Sequence, residues 1–315
     1  MAERRKVSVV GAGSVGATLA YASLIRGAAK TVALYDIDRD KVRAEVLDLN
    51  HGSQFYPTAN VIGSDDIAVT ADSDIVVITA GAKQKPGQTR LDLAAVNVQM
   101  CRSLVPGLLA LSPDAILLLV TNPVDVVTYA ALQASGLPSR RVFGSGTVLD
   151  SSRLRTLLAQ HCDVAVHSVH AFIVGEHGDS QVPAWSQASI GGVPVRDWSP
   201  SERAPLDEQT LDRIAHEVVT AADEIIRGKG ATNYAVGLSA AEIVEAVLND
   251  ERIVMPVSSL LTGQYRIDDV CLSLPSIVDS KGVDVILTPP LSEEEADALR
   301  RSAETVRRAE RSLGI

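Results

Sequence analysis

The sequence is poor in aromatic residues and poor in positive charge. Aromatic side chains make up only 3% of the 315 residues, so the buried core must be aliphatic. The 29 Lys and Arg residues against 39 Asp and Glu residues give a net charge of −10 at pH 7. An acidic chain with so few aromatic rings lacks both the positive field and the stacking surfaces with which proteins bind nucleic acids. We therefore expect no nucleic-acid partner.

Long apolar runs are also missing. The longest unbroken runs, such as Ala115–Val120, have the length of a strand, whereas a bilayer requires about 18 or more apolar residues. The N-terminal sequence MAERRKVSVVG lacks the apolar stretch and the cleavage site of a signal peptide. We expect a cytoplasmic protein that does not associate with membranes.

Cysteine is too sparse for a disulfide framework or a metal site. The three cysteines, Cys101, Cys162 and Cys271, are scattered and show no CxxC spacing. This pattern indicates buried free thiols in a reducing compartment. A chain of this length can bury a sufficient core without such crosslinks.

The first 145 residues alternate short β-branched runs with amphipathic stretches. Strands are predicted at Val7–Val10, Thr31–Tyr35, Ile75–Thr79 and Ile116–Thr121. Such continuous apolar runs are typical of strands buried on both faces, and their alternation with helices indicates parallel βαβ units. Residues 1–145 are therefore predicted to form a parallel α/β domain.

Residues 146–315 follow a different pattern, with long helices between short strands. Strand-like segments lie at Val164–Val174, and GGVPV at 191–195 predicts a hairpin. The predicted helices span Leu149–His161, Leu206–Ile226, Thr232–Leu248 and Glu293–Leu313. We expect a second, α+β domain here.

A glycine-rich motif lies at the first strand-to-helix junction. Residues 9–16 read VVGAGSVG, so Gly11, Gly13 and Gly16 form GxGxxG, and Asp36 follows 20 residues after Gly16 at the end of the next strand. The glycines allow a tight turn, close approach of a pyrophosphate and close helix packing, and the carboxylate can accept hydrogen bonds from a ribose. Asp36 favours NAD over NADP because it repels a 2′-phosphate. Arg39 lies nearby and argues against this preference for NAD. The alternative interpretation is that Arg39 is an exposed loop residue.

A second group of candidate residues could carry acid–base chemistry. His177 lies in the glycine-flanked segment GEHGDS, and Asp150 and Arg153 lie three residues apart in SGTVLDSSRLR. A buried carboxylate can fix the tautomer of a histidine and stabilise its charged form. The alternative interpretation is that Asp150 caps a helix and Arg153 forms a surface ion pair.

These segments together resemble the L-lactate/malate dehydrogenase family, and within it the bacterial L-lactate dehydrogenases. The resemblance covers essentially the whole chain. The motifs occur in the family's order: VVGAGSVG, QKPGQTRLDL, TNPVD, SGTVLDSSRLR, GEHGDS, KGAT and LSLP. It implies a Rossmann-type doubly wound parallel sheet at 1–145, an α+β substrate domain at 146–315, NAD as cofactor, a homotetramer, and reversible reduction of pyruvate to L-lactate in glycolysis and fermentation.

The resemblance also implies roles for individual residues. His177 donates and accepts the proton, and Asp150 orients and stabilises it. Arg153 binds the substrate carboxylate through a bidentate fork. Arg90, in the active-site loop, polarises the reacting carbonyl after closure, and Asn122 hydrogen-bonds around the reacting oxygen and the imidazole. The implied NAD site comprises Gly11, Gly13, Ser14, Val15, Gly16, Asp36, Thr79, Ala80, Gly81, Asn122 and Ser145.

Substrate choice is expected to depend on Gln84, with Thr232 lining the same end of the pocket. In the malate enzymes of this family, the position that matches Gln84 holds an arginine that pairs with a second carboxylate, whereas a neutral amide favours the methyl group of pyruvate. Malate dehydrogenase and a broader 2-hydroxy acid dehydrogenase remain the alternatives, because Lys83 and Lys85 add positive charge beside Gln84 and Gln88 stands where the family commonly has Glu. A third and remote alternative is a pseudoenzyme that only binds NAD, but such a protein would have no reason to keep the acid–base residues.

Arg155 is a candidate for regulation. It lies two residues after Arg153, so on an α-helix the two side chains point about 200° apart and cannot serve the same pocket. In bacterial lactate dehydrogenases activated by fructose 1,6-bisphosphate, the residues that match Arg155 and His170 form an anion site across a subunit interface. The alternative is an ordinary interface ion pair for Arg155 and a buried hydrogen bond for His170.

Overall fold

The computed structural model describes residues 5–82, 90–199 and 206–315. The strands within these ranges are β1 Lys6–Val10, β2 Thr31–Tyr35, β3 Asn60–Ser64, β4 Ile75–Ile78, β5 Ile116–Leu119, β6 Val142–Gly144, β7 Val169–His170, β8 Ile173–Val174, β9 Val182–Pro183, β10 Ser189–Ile190, β11 Val193–Pro194, β12 Ile253–Thr262, β13 Asp268–Asp279 and β14 Gly282–Ile286. The helices are α1 Ser14–Arg26, α2 Arg39–His51, α3 Arg90–Leu111, α4 Val124–Ser135, α5 Val148–Cys162, α6 Glu208–Lys229, α7 Tyr234–Leu248 and α8 Glu293–Leu313.

A nine-stranded sheet forms the centre of the molecule. Six parallel strands lie in the order β3-β2-β1-β4-β5-β6, and β12, β13 and β14 continue the sheet in antiparallel pairing beyond β6. The parallel part is a Rossmann-type doubly wound sheet, and the elements that follow it form an α+β unit. The strand order reverses between β1 and β4, and ligands of such sheets bind at this point, outside the carboxyl ends of the strands.

Most predicted elements are confirmed. The glycine hairpin at 191–195 joins β10 to β11, and Gly191 and Gly192 have φ of +57° and +87°, as a tight hairpin turn requires. The strand-like segments expected within Val164–Val174 are confirmed as β7 and β8, which follow a 3₁₀ turn at Val166–Ser168.

Two strands of the parallel sheet were not predicted from the sequence. β3 has only two consecutive apolar residues, Val61 and Ile62, and β6 contains only three residues, so neither resembles a long buried run. Their places in the sheet come from pairing with β2 and β5. Tertiary pairing therefore determines these two strands more than local propensity does.

Helix α3 is apolar enough over Leu91–Leu111 to cross a membrane by length and mean hydropathy. The sequence prediction considered only unbroken apolar runs, and this criterion does not identify a helix whose apolar residues are interrupted by polar ones. The α3 residues Cys101, Val105 and Leu108 are fully buried against the sheet and α4, so one face of the helix packs into the core, whereas Leu91 and Val96 are exposed. The helix also carries the buried polar residue Asn97.

Candidate active site

The glycine motif forms a tight turn between β1 and α1. Gly11 has φ of +103°, and a Cβ on it would lie 2.7 Å from the backbone of Ala80. A Cβ on Gly16 would lie 1.9 Å from the carbonyl oxygen of Gly11. Gly13, by contrast, has open space: its Cβ would meet only Lys41 Nζ, at 3.9 Å. Gly13 is also the N-cap of α1 and has no side chain with which to cap the first N–H groups of the helix, so these groups can bind an anion.

Asp36 closes one side of this turn. Its Oδ2 accepts hydrogen bonds from the Ala12 N–H at 2.7 Å and from Lys41 Nζ at 3.2 Å, and its Oδ1 accepts one from the Asp38 N–H at 3.0 Å. Burial opposes the charge, but the backbone donors and Lys41 outweigh it and lower the pKa of Asp36. The carboxylate is therefore ionised beside the turn, where it fits the ribose of a dinucleotide. Arg39 is exposed at the start of α2.

The other predicted cofactor residues follow the carboxyl ends of neighbouring strands. Thr79, after β4, donates a hydrogen bond from Oγ1 to the Gly11 carbonyl at 2.9 Å. A Cβ on Gly81 would lie 2.8 Å from Thr121 Cγ2. These positions all border the edge of the sheet that carries the glycine turn: Ser14, Val15, Thr79, Ala80, Gly81, Asn122 and Ser145. Their arrangement fits an extended dinucleotide.

Helix α5 and the segment at 175–180 bring the acid–base candidates together. His177 Nδ1 lies 2.5 Å from Asp150 Oδ2, and Arg153 donates a hydrogen bond to Asp150 Oδ1 at 2.8 Å. The Asp150 side chain is 3% exposed, and that of His177 is 25% exposed. The buried carboxylate thus bridges an imidazole and a guanidinium, and the imidazole keeps access to a substrate.

The charges in this group shift its titration. Burial and the nearby Arg153 oppose the charged imidazole, but the carboxylates of Asp150 and of Asp125 in α4 together outweigh them, and the pKa of His177 lies above its ordinary value. Burial likewise opposes the charge on Asp150, but His177 and Arg153 hold the pKa of that carboxyl below its ordinary value. His177 is therefore more easily protonated than a free histidine, as a proton donor near neutral pH must be.

The main chain around His177 is fixed by contacts that the sequence analysis did not identify. Gly175, with φ of +90°, pairs with Ser273 of β13 through two backbone hydrogen bonds. The Glu176 N–H donates a hydrogen bond to Ser302 Oγ of α8 at 2.8 Å. The His177 N–H donates to Asp125 Oδ2 at 2.8 Å. Asp125 belongs to the motif TNPVD, which already contained the predicted residue Asn122, so the motif itself was the available signal.

The remaining predicted residues fall into two separate cavities. Arg153 and Thr232 line a cavity of about 690 Å³ between α5, α6 and the start of α7. Arg155 and His170 line another, of about 480 Å³. The guanidinium of Arg155 donates to the Ala171 carbonyl at 2.9 Å. The two arginines thus serve different surfaces, as the helical spacing predicted.

Several predicted positions lie outside the described residues. Gln84 falls there, together with its neighbours Lys83, Lys85 and Gln88, and so does the side chain of Arg90, although Arg90 is the first residue of α3. Among the residues that the structure describes, no group of three or more His, Cys, Asp and Glu side chains could hold a metal ion.

Comparison with known proteins agrees with this architecture. Residues 5–144 match the family model described as lactate/malate dehydrogenase, NAD binding domain, and residues 147–311 match that of the alpha/beta C-terminal domain. The chain is 52% identical over 311 residues to the L-lactate dehydrogenase of Bifidobacterium animalis subsp. lactis, covering 98% of this chain and 97% of the relative. It is 49% identical over 302 residues to that of a Synechococcus strain, covering 96% and 97%. A crystal structure of the minor L-lactate dehydrogenase from Enterococcus mundtii superimposes with a TM-score of 0.95 at 39% identity, covering 98% of both chains.

Proposed function

Because the chain belongs to the lactate/malate dehydrogenase family, we propose that it is an NAD-dependent L-lactate dehydrogenase that reversibly reduces pyruvate to L-lactate. The observation that carries this proposal is the linked group Arg153–Asp150–His177, which sets a proton donor beside a receptor for a carboxylate. Relatives named L-lactate dehydrogenase at 45–52% identity over nearly the whole chain support the choice of substrate.

His177 is the acid–base residue in this proposal. When bound, the nicotinamide cofactor supplies the hydride. The reacting oxygen then gains negative charge and needs a proton, which the protonated imidazole of His177 provides, and the neutral imidazole accepts it in the reverse direction. Asp150 holds the Nδ1–H tautomer, so that Nε2 faces the substrate, and stabilises the imidazolium.

The substrate is held by charge and shape around His177. We assign Arg153 to the carboxylate of pyruvate, because a planar guanidinium can donate two parallel hydrogen bonds to it. Arg90 supplies positive charge to the reacting carbonyl, and Asn122 supplies a hydrogen bond to the same oxygen. Thr232 and Gln84 limit the other end of the pocket to a small uncharged group.

A comparison of substrates tests the function. Reduction of pyruvate and of oxaloacetate is followed by NADH absorbance, and each is repeated with NADPH. We expect a strong preference for pyruvate and NADH, and we expect Gln84→Arg to shift the preference toward oxaloacetate, because a new charge partner in a closed site can change specificity by several orders of magnitude. Comparable kcat/KM for both substrates in the unmodified protein would disprove the assignment.

The assembly and its regulation are further parts of the proposal. We propose a cytoplasmic homotetramer, with the domains divided at 145 and 146, in which Arg155 and His170 bind fructose 1,6-bisphosphate across an interface. In support, both residues line one cavity together with Arg26. A subunit dyad would bring like charges together, and a bisphosphate would relieve their repulsion. The contact of Arg155 with the Ala171 carbonyl supports the alternative of a purely structural role.

Pyruvate saturation curves distinguish these two roles. They are measured at low enzyme concentration and near neutral pH, with and without millimolar fructose 1,6-bisphosphate. Activation is expected to lower the KM for pyruvate, since the effector binds the active arrangement more tightly. Superimposable hyperbolic curves and unchanged sedimentation would eliminate the effector and leave the catalytic proposal intact.

A further inference from the structure

A second carboxylate, besides Asp150, contacts His177. Asp125 lies in the first turn of α4, two residues after the cis peptide bond Asn122–Pro123. It is 2% exposed. Its Oδ2 accepts the His177 N–H at 2.8 Å, and its Oδ1 accepts the Ser258 hydroxyl at 2.6 Å. A buried carboxylate is costly unless its charge is compensated, so its retention at this point requires an explanation.

Helix capping does not provide that explanation. The N-cap of α4 is Pro123, and both oxygens of Asp125 accept donors from remote parts of the chain, 52 and 133 residues away. The dipole of α4 favours a negative charge at this position. The two hydrogen bonds alone, however, could be made by a neutral asparagine, whose carbonyl would accept from His177 and whose amide would donate to Ser258. What the carboxylate adds is its negative charge.

The charges around Asp125 direct its effect toward the imidazole. Glu176 lies on the same segment as His177, Cys271 faces Asp125 from β13, and Glu310 faces it from α8. Of these groups and His177, only His177 can carry a positive charge. Burial raises the pKa of Asp125 to about 6, although the bonds from Ser258 and His177 oppose this rise. Near neutral pH the carboxylate is therefore mostly ionised, and it raises the pKa of His177 together with Asp150.

We infer that Asp125 is a positioning residue for His177, which fixes the main chain of the acid–base segment and supplies a second negative charge that stabilises the imidazolium. This inference rests on the proposed role of His177 in pyruvate reduction. Asp125 also connects that segment to α4, whose first turn directly follows the predicted substrate residue Asn122.

The test compares two changes from carboxylate to amide. In Asp125→Asn the hydrogen bonds can be kept while the charge is lost. Glu310→Gln removes a buried titratable carboxyl from the same region without touching the His177 segment. Because pyruvate reduction requires protonated His177, its rate falls on the alkaline side as His177 loses its proton. We expect this alkaline limb to move to lower pH by about half a unit or more in Asp125→Asn, with kcat reduced about tenfold and the KM for pyruvate changed less than twofold.

Glu310→Gln is expected to leave the limb in place or to move it slightly to higher pH, because losing Glu310 makes Asp125 easier to ionise. An unmoved limb in Asp125→Asn would overturn the inference, and so would an equal downward shift in Glu310→Gln. Asp125→Glu, which keeps the charge, is expected to hold the limb within about 0.2 units of the unmodified protein even where turnover falls. If the alkaline limb in Asp125→Glu shifts as far as it does in Asp125→Asn, the proposed role of the charge is overturned.

Nuclear magnetic resonance titration of the His177 ring provides a readout that needs no substrate. The ring signal is assigned by its loss in His177→Asn. Its midpoint is expected to lie lower in Asp125→Asn than in Asp125→Glu, Glu310→Gln and the unmodified protein. Equal midpoints in Asp125→Asn and the unmodified protein would overturn the inference. If the unmodified protein fails to reduce pyruvate, the proposed function fails while this titration still decides the role of Asp125.

Discussion

The two halves of the site are built by opposite means. The glycine turn depends on missing side chains: Gly16 has no room for a Cβ, and the backbone itself lines the open space at Gly13. The acid–base group depends on side chains that must be present, since Asp150 holds both His177 and Arg153. The glycine turn is therefore sensitive to added side-chain volume, and the acid–base group is sensitive to changes in side-chain charge.

The two halves also differ in how far apart their parts lie in the chain. The turn, its helix and Asp36 belong to one βαβ unit. His177, by contrast, is held by Asp125 and Asp150, and its neighbours in the segment are held by Ser273 and Ser302. A change in volume should therefore act on cofactor affinity, and a change in charge should act on turnover.

The largest expected effect is that of His177→Asn on turnover. Asparagine is polar and of similar shape but cannot transfer a proton near neutral pH, so kcat should fall by roughly two to four orders of magnitude. NADH affinity, measured by fluorescence titration, should change less than twofold, because the glycine turn lies in the other half of the site. Turnover within tenfold of the unmodified protein would contradict the role of His177, and a large loss of NADH affinity would contradict the separation of the halves.

Gly16→Ala should lower NADH affinity and leave turnover nearly unchanged, which is the converse of His177→Asn, and its effect should be smaller. A methyl group 1.9 Å from the Gly11 carbonyl and 2.8 Å from Thr79 Oγ1 must displace the turn or α1. We expect NADH affinity to fall by roughly 10- to 100-fold, which corresponds to about 1.4 to 2.8 kcal/mol, while kcat at saturating NADH stays within a few-fold.

Gly107→Ala is the matched control for this substitution. It adds the same methyl group inside α3, where the nearest atom is Ile67 Cδ1 at 3.6 Å, an ordinary contact. Alanine is favoured over glycine in a helix, so stability should be unchanged or slightly higher and NADH affinity should be unchanged. Normal NADH binding in Gly16→Ala would show that the turn tolerates volume and would remove the contrast between the halves.

The contrast also explains what the sequence could predict. The glycine turn and the strands β1, β2, β4 and β5 were predictable because their signals are local: spacing, apolar runs and one carboxylate at a fixed distance. Asp150 and His177 were recognised through the family resemblance, since nothing local shows that residues 27 positions apart lie 2.5 Å from each other.

Asp125 and Ser302 were missed because their function exists only after folding. Asp125 resembles an ordinary acidic residue in the first turn of a helix, and Ser302 resembles one of many polar residues in α8. Only the tertiary structure brings them to the main chain around His177. Gly175 was visible as part of GEHGDS, but its positive φ and its pairing with Ser273 were not.

Glu310 offers the smallest and most specific test of the charge-sensitive half. It lies on α8, the helix that contacts the His177 segment through Ser302, and it is 4% exposed. Its Oε1 has no hydrogen-bond partner within the described ranges. Burial raises the pKa of Glu310 to about 7, and Asp269 and Asp125 add to the rise although Arg307 and Arg311 oppose it. The folded protein therefore holds a proton there that the unfolded chain releases near its ordinary pKa of 4.5.

Because the folded state binds this proton more tightly than the unfolded state does, the stability of the unmodified protein falls as pH rises between about 4.5 and 7. Glutamine carries no charge at any of these pH values, so Glu310→Gln does not share this loss. Relative to the unmodified protein, the variant should gain up to about 3 kcal/mol in the free energy of unfolding between pH 5 and pH 8. Urea unfolding at fixed protomer concentration measures this difference. Glu304→Gln, at an exposed position on the same helix, is the control for removing a carboxyl from α8. If Glu310→Gln differs from the unmodified protein by the same amount at both pH values, Glu310 has the same pKa in the folded and unfolded states, and it contributes no pH-dependent charge to this half of the site.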